Sequence, residues 1–175
     1  MANVPSTLVL GGAASGKSVY AEDLVLRLPG RPVYIATAQA FDGEMTDKIA
    51  VHRARRGAIW TNVEEPLDLA GAIARADAPD ATLLVDCLTM WLNNLMADER
   101  DIAAETAQLV DVLVGLQGRV VLVATEVGLG IVPDNALARA FRNQHGALNQ
   151  AVAAAADRVV FVAAGLPLAL KGDLD

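Results

Sequence analysis

The chain alternates short runs that are almost entirely apolar with longer segments in which apolar residues recur at helical spacing. The short runs predict strands at residues 7–10, 32–36, 82–85, 119–124 and 158–162. The longer segments predict helices at residues 17–28, 43–56, 66–77, 101–116 and 135–156. Strands that are apolar on both faces and separated by helices are typical of a parallel sheet covered on each side. We therefore predict an α/β fold with one domain spanning residues 1–175.

The composition adds three exclusions. The formal net charge is −7, which argues against a nucleic-acid binder that neutralises many phosphates. No stretch of about 18 residues is continuously apolar, so we expect no membrane insertion. The single cysteine, Cys87, cannot form an internal disulfide, and Met1 to Leu10 lack the basic start of a signal peptide. We therefore expect a cytoplasmic protein.

A glycine-rich motif follows the first predicted strand and opens the first predicted helix. Its residues are Gly11, Gly12, Ala13, Ala14, Ser15, Gly16, Lys17 and Ser18, which match G-x-x-x-x-G-K-[ST]. Such a loop surrounds phosphate oxygens with backbone N–H groups, while Lys17 reaches the β and γ phosphates and Ser18 ligates Mg²⁺. The alternative is a strand-to-helix turn without a ligand. The motif in this context predicts a P-loop NTPase-like layered fold, with a mostly parallel central sheet flanked by helices.

Acidic residues end two of the other predicted strands. A Mg²⁺ site of this class needs an acidic partner from a second strand, and Asp86 follows the apolar run 82–85. The alternative for Asp86 is a simple cap of the next turn. Glu126, after the run 119–124, is a second candidate, for which a solvated loop carboxylate is an equal alternative.

Positive charge is concentrated in residues 48–56, where four of the 14 lysines and arginines accompany His52, one of two histidines. On a helix, Arg55 and Arg56 would lie close to His52. Nearby cations favour a neutral, nucleophilic imidazole, and arginines bind phosphate oxygens bidentately. The pattern is compatible with a phosphorus nucleophile, and a packed or solvated histidine is the alternative. We expect the other histidine, His145, to lie at the surface, in the polar part of the last helix.

These residues together resemble the bifunctional adenosylcobinamide kinase/adenosylcobinamide-phosphate guanylyltransferase family of cobalamin (vitamin B12) biosynthesis. The resemblance runs nearly from end to end. Beyond the phosphate loop it rests on residues 34–39, 49–53, 84–89 and 126–133, on Arg56 and Trp60, and on positions from Arg139 to Asp157. The segment around His52 and the loop 126–133 are the most specific of these.

The resemblance implies two reactions at shared nucleotide machinery. The protein would phosphorylate adenosylcobinamide with ATP or GTP; His52 would then attack the α-phosphorus of GTP, release pyrophosphate and pass GMP to adenosylcobinamide phosphate, giving adenosylcobinamide-GDP. His52 and Lys17 would be catalytic, and Ser18 and Asp86 would hold Mg²⁺. Further contacts to the nucleotide or its metal are implied for Thr37, Ala38, Gln39, Arg53, Ala54, Arg55, Arg56, Glu64 and Asp86. The resemblance also implies a homotrimer.

Two other functions remain open from the residues alone. One is a monofunctional P-loop kinase of a small molecule, in which residues 48–56 only bind the acceptor. The other is a non-enzymatic, nucleotide-controlled binding protein. A single domain of 175 residues is small for two separate active sites, so the bifunctional interpretation predicts shared machinery completed by neighbouring subunits. The sequence leaves the roles of Glu126, Arg139 and Arg142 undecided and assigns no residues to the corrinoid.

Overall fold

The computed structural model describes residues 6–39 and 58–174 as alternating strands and helices. In chain order the elements are β1 (Ser6–Gly11), α1 (Lys17–Arg27), β2 (Arg31–Ala36), β3 (Thr61–Glu64), α2 (Leu69–Ala76), β4 (Ala81–Asp86), α3 (Leu88–Ala97), α4 (Ile102–Val114), β5 (Arg119–Thr125), α5 (Ala136–Ala155), β6 (Arg158–Ala163) and β7 (Leu166–Lys171). The helix predicted at 43–56 lies outside the described residues, as does His52.

The described strands form one seven-stranded sheet in the order β3-β2-β4-β5-β1-β6-β7. Neighbouring strands from β3 to β6 are parallel, and only β7 runs antiparallel, against β6. The carboxyl ends of the six parallel strands therefore meet at one edge of the sheet, which we call the carboxyl edge. In open sheets of this type, ligands bind outside the carboxyl ends of the strands. The predicted mostly parallel sheet is confirmed.

Apolar side chains cover both faces of the sheet, as the continuous apolar runs predicted. Leu8 and its neighbours on one face pack against α2, α3, α4 and α5. Val9 and the alternate positions on the other face pack against α1. In the part of the chain that the structure describes, no helix is both long and apolar enough to span a bilayer.

The periodic pattern located the central elements and missed three others. All five predicted strands and the four predicted helices within the described residues are present, with ends within three residues of the prediction. The pattern missed β3, which is short and polar, and β7, an antiparallel edge strand that contains Pro167. Proline is tolerated at sheet edges, although it argues against a central strand. It also missed α3, which follows β4 after one residue.

Asp77 joins two loops at the amino ends of the strands, opposite the carboxyl edge, and we expect its loss to destabilise the fold. Its carboxylate accepts hydrogen bonds from the backbone N–H groups of Gln117 and Gly118, at 2.9 and 2.8 Å. Asp77→Ala removes both acceptors and should lower the free energy of unfolding by about 2 kcal/mol. Urea denaturation measures this change. The control is Asp111→Ala, which removes an exposed carboxylate from α4; an equal loss in both variants would contradict the assignment.

Candidate nucleotide-binding site

The phosphate loop, residues 11–18, lies at the carboxyl edge between β1 and α1. Its backbone requires glycine at two positions. A Cβ at Gly11 would lie 2.5 Å from Ser15 Oγ and 2.6 Å from the Val162 carbonyl oxygen. Gly16 has φ of +91°, in the left-handed region that favours glycine. The glycine positions of the motif therefore serve the loop conformation that the motif predicted.

The N-terminus of α1 has no side-chain cap. Its capping residue is Gly16, and the first turn carries no acidic residue. The helix α3 also lacks a side-chain cap, whereas α2, α4 and α5 are capped by Asp68, Asp101 and Asn135. The first N–H groups of α1 thus remain open to an anion, and the helix dipole adds partial positive charge at the same point.

Neighbouring segments form hydrogen bonds with the phosphate loop on both sides. The N–H of Glu126, which follows β5, donates to the Gly11 carbonyl at 2.8 Å, and the N–H of Gly165, between β6 and β7, donates to the Ser15 carbonyl at 2.8 Å. Lys17 Nζ donates to the Gly12 carbonyl at 3.1 Å. The ammonium group therefore lies across the loop, where a bound phosphate would compete for it.

Asp86 ends β4, two strands away from β1 in the sheet. Strand spacing places the two backbones about 10 Å apart. The register aligns Asp86 with Val123, which aligns with Val9, two residues before Gly11. The Tyr34 hydroxyl donates to one carboxylate oxygen of Asp86 at 2.8 Å. Carboxylate and hydroxyl oxygens suit Mg²⁺, so Asp86 and Ser18 have the right chemistry for the predicted metal.

Thr37 connects the ends of β2 and β4. Its side chain is fully buried; the hydroxyl donates to the Cys87 carbonyl at 2.7 Å and accepts from the Cys87 N–H at 2.9 Å. Asn94, from α3, donates to the Thr37 carbonyl at 2.7 Å. The Thr37 hydroxyl thus holds the backbone next to Asp86.

The other predicted contacts are distributed around this edge. Ala38 and Gln39 follow Thr37 directly and are partly exposed, and Glu64 ends β3 with an exposed side chain. Arg139 donates to the carbonyls of Pro133 and Asp134, at 3.0 and 2.8 Å, so it holds the end of the loop after β5. Arg53, Ala54, Arg55 and Arg56, like His52, lie outside the described residues.

His145 is fully buried, and the expectation that it lies at the surface was wrong. One ring nitrogen, Nε2, is 2.9 Å from Thr89 Oγ1, and Nδ1 is 3.0 Å from Asn149 Nδ2. The polar residues just before it, Asn143 and Gln144, are exposed, whereas the partners of His145 are the buried Asn149 on the same helix and Thr89 of α3. An asparagine four residues after a histidine on one helix is the signal that could have shown this.

Cys87, which follows Asp86, and His145, which contacts Thr89, both stay uncharged at neutral pH. Burial, and to a smaller extent the charge of Asp86, raises the pKa of the Cys87 thiol to about 11. Burial lowers the pKa of His145, an effect that the charge of Glu126 partly offsets. The thiol therefore adds no negative charge beside Asp86, and the imidazole adds no positive charge near Glu126.

The buried His145 should make stability fall in acid. Because its folded pKa lies below the unfolded value, the unfolded chain binds the proton first as the pH falls through about 6.5. From pH 7.5 to 5, the wild-type free energy of unfolding should fall more steeply than that of His145→Phe, by up to about 1.4 kcal/mol per pH unit. Urea titrations at several pH values measure the two slopes; parallel slopes would contradict the expected shift.

Comparison with known proteins decides the family. The model of the family described as cobinamide kinase / cobinamide phosphate guanyltransferase matches residues 7–170. The chain belongs to this family.

Individual relatives match this chain over nearly their whole length. The bifunctional adenosylcobalamin biosynthesis protein CobP of Pseudomonas aeruginosa is 48% identical over 168 residues, which cover 95% of this chain and 97% of the relative. The bifunctional adenosylcobalamin biosynthesis protein CobU is 40% identical in Salmonella typhimurium and 38% in Escherichia coli, in each case covering 94% of this chain and 98% of the relative. The recognition of the family from its motifs is confirmed.

Solved structures confirm the fold class alone, because their sequence identities are low. The P4 protein of bacteriophage phi6 in complex with ADP aligns with TM-score 0.50 and 15% identity, covering 94% of this chain and 54% of that chain. An ATPase of a bacterial type III secretion system aligns with TM-score 0.53 and 11% identity, covering 94% and 56%. The predicted P-loop NTPase-like architecture is confirmed.

Proposed function

We propose that this member of the cobinamide kinase / cobinamide phosphate guanyltransferase family catalyses both reactions of its name. It phosphorylates adenosylcobinamide with ATP or GTP, and it then transfers GMP from GTP to adenosylcobinamide phosphate. The observation that carries the proposal is the phosphate loop with an uncapped helix N-terminus, in a chain that is 48% identical to a bifunctional relative.

In the kinase step, the loop and Lys17 bind the β and γ phosphates of the nucleotide. The hydroxyl of adenosylcobinamide attacks the γ-phosphorus of the nucleotide. The bond between the γ-phosphorus and the oxygen that bridges it to the β-phosphate breaks, and the nucleoside diphosphate leaves. The hydroxyl proton is lost in the same reaction. Lys17 and the α1 N-terminus stabilise the negative charge that accumulates on the phosphates.

In the guanylyl step, a neutral ring nitrogen of His52 attacks the α-phosphorus of GTP, and pyrophosphate leaves. The phosphate group of adenosylcobinamide phosphate then attacks the same phosphorus and breaks the P–N bond, which returns His52 to its starting state. The intermediate divides one difficult transfer into two displacements. Arg53, Arg55 and Arg56 are proposed to hold phosphate oxygens near His52.

The nucleotide is proposed to bind together with Mg²⁺, held by the Ser18 hydroxyl and the Asp86 carboxylate. The ion would neutralise phosphate charge in both steps. The Tyr34 hydroxyl bond to Asp86 supports this assignment because it engages only one carboxylate oxygen at 2.8 Å. Thr37, Ala38, Gln39 and Glu64 remain proposed nucleotide contacts. For Thr37 the backbone is the more suitable contact, because its hydroxyl already binds Cys87.

We also propose that the protein works in the cytoplasm as a homotrimer. The outer strand β7 supports an assembly, because it carries three exposed leucines. Leu166 and Leu168 alternate along the strand and share one face, and Leu170 lies at the register shift between β6 and β7. Their side chains are 71%, 60% and 58% exposed in the single chain. Apolar exposure of this kind is typical of a surface that another subunit covers.

A turnover assay tests the proposed function. The purified protein is incubated with adenosylcobinamide, GTP and Mg²⁺, and the corrinoids are analysed by mass spectrometry. We expect adenosylcobinamide phosphate first and adenosylcobinamide-GDP with pyrophosphate later. Formation of the phosphate alone would favour the monofunctional kinase, and nucleotide binding without any product would favour the non-enzymatic binding protein.

A further inference from the structure

A buried set of polar side chains links α5 to the carboxyl edge of the sheet. It consists of Asn149, His145 and Thr89, and we call it the α5 network. His145 and Asn149 lie on α5, with relative exposures of 0% and 8%, and Thr89 lies in the first turn of α3. None of the three belongs to the residues proposed above for nucleotide, metal or phosphate chemistry.

Thr89 completes the pairing between β4 and β5. The ladder between these strands ends where Asp86 faces Val123, so Thr125 lies beyond its last pair. The Thr89 hydroxyl accepts the Thr125 N–H at 2.8 Å. The hydroxyl thus takes the place of a strand partner at the carboxyl edge, three residues after Asp86.

The next residue carries this restraint to the phosphate loop. Glu126 follows Thr125 directly, and its N–H donates to the Gly11 carbonyl at 2.8 Å. The Thr125–Glu126 backbone is therefore bonded to Thr89 on one side and to the phosphate loop on the other. A shift of the Thr89 hydroxyl would move the segment that holds Gly11.

His145 holds the Thr89 hydroxyl in one orientation. Both of its ring nitrogens have partners, at 2.9 and 3.0 Å, and the Phe141 ring packs against it with centroids 5.7 Å apart. A threonine hydroxyl can otherwise rotate among several acceptors and donors. An apolar side chain would fill the same space without the cost of burying polar atoms, so a histidine here indicates a demand for the hydrogen bond.

We propose that His145 is a positioning residue for the nucleotide site. Through Thr89 it sets the Thr125–Glu126 backbone, and through that backbone it sets the phosphate loop in the geometry that binds a magnesium nucleotide. The part of the proposal that concerns nucleotide rests on the proposed function, whereas the part that concerns the backbone does not.

Variants that remove the hydrogen bond and keep the shape test the proposal. His145→Phe and Thr89→Val break the bond, and Thr89→Ser keeps the hydroxyl. Leu148→Ala is the matched control: Leu148 is 1% exposed on the same helix and packs in the apolar core. It should lower stability without touching Thr89. Thr89→Val removes both the contact with His145 and the acceptor of the Thr125 N–H. If His145→Phe does not fold, the Thr89 pair therefore still tests whether the Thr89 hydroxyl sets the Thr125–Glu126 backbone.

The first measurement is amide hydrogen exchange of Thr125 and Glu126 in the protein without nucleotide. His145→Phe and Thr89→Val should speed exchange at both amides by about tenfold relative to amides in the middle of β4. Thr89→Ser should remain within about twofold of the wild type. Unchanged exchange in His145→Phe would overturn the proposal whatever the protein catalyses, even if Thr89→Val speeds exchange, because Thr89→Val also removes the direct acceptor of the Thr125 N–H.

The second measurement is GTP affinity in the presence of Mg²⁺, by isothermal titration calorimetry. The dissociation constant should rise about fivefold in His145→Phe and Thr89→Val and stay within about twofold in Thr89→Ser and Leu148→Ala. An equal rise in Leu148→Ala would overturn the proposal, because the effect would then follow stability. A wild-type protein that binds GTP but forms no cobinamide product contradicts the proposed function and leaves this comparison intact.

Discussion

Replacing His52 with alanine should abolish GMP transfer and spare phosphoryl transfer to adenosylcobinamide. The imidazole is the proposed attacking group only in the guanylyl step, whereas the kinase step relies on the phosphate loop. With α-labelled GTP and Mg²⁺, the wild type should form a covalent adduct that is labile in acid and stable in alkali, as a phosphoramidate is. His52→Ala should form none, and adenosylcobinamide-GDP formation should fall by about 10³-fold or more.

Lys48→Ala is the matched control for this experiment. Lys48 lies four residues before His52 in the same basic segment, so its loss removes a positive charge without removing the nucleophile. The adduct should persist in Lys48→Ala. Label that survives in His52→Ala would overturn the histidine assignment, and loss of the kinase reaction as well would show that His52 acts in nucleotide binding.

Replacing Lys17 with methionine should impair both reactions together. Methionine keeps most of the side-chain length at the start of α1 but removes the ammonium group that the loop places near the Gly12 carbonyl, at 3.1 Å. Both transfers develop charge on the phosphates that this group stabilises. We expect kcat/KM for each reaction to fall by about 10²-fold or more, measured by product formation under limiting GTP.

Arg27→Met provides the charge-matched comparison for Lys17. Arg27 ends α1, where its Nε donates to the Asp23 carbonyl at 3.2 Å, so the variant loses one positive charge at the far end of the same helix. Its activity should stay within about twofold of the wild type, as for most exposed substitutions. A similar loss in both variants would mean that net charge, and not the position of Lys17, determines the rate.

The two histidines illustrate different limits of sequence reasoning. His52 was interpreted from a local concentration of charge and from the family motif, and its role stays a prediction. His145 was interpreted from polar neighbours along its helix, and that expectation was wrong. Helical periodicity describes which residues share a face, but it does not say that a polar face can be buried against another polar group such as Thr89.

The central strands were predicted from the sequence, whereas the two edge strands were not. Central strands such as β4 have apolar side chains on both faces, because helices cover both, and this leaves a clear run in the sequence. Edge strands lack that requirement. Thus β3 is short and polar, and β7 contains Pro167, because a strand with one neighbour need not donate every N–H. Neither carries a pattern that separates it from a loop.

The sequence by itself determined the layered α/β fold, the phosphate loop from Gly11 to Ser18, the placement of Asp86 at a strand end and the family. The fold, the loop and the strand end depend on residues close together in the chain, where spacing alone carries the physical requirement, and the family was recognised from several such short motifs. Only the tertiary structure decided which strands are neighbours, that Thr37 binds the backbone of Cys87 and Thr89 that of Thr125, and that His145 is buried. These depend on contacts between residues as far apart as Thr89 and His145, which local spacing does not encode. The net charge of −7 is also compatible with phosphate binding, because the uncapped N-terminus of α1 at the carboxyl edge offers N–H groups to an anion.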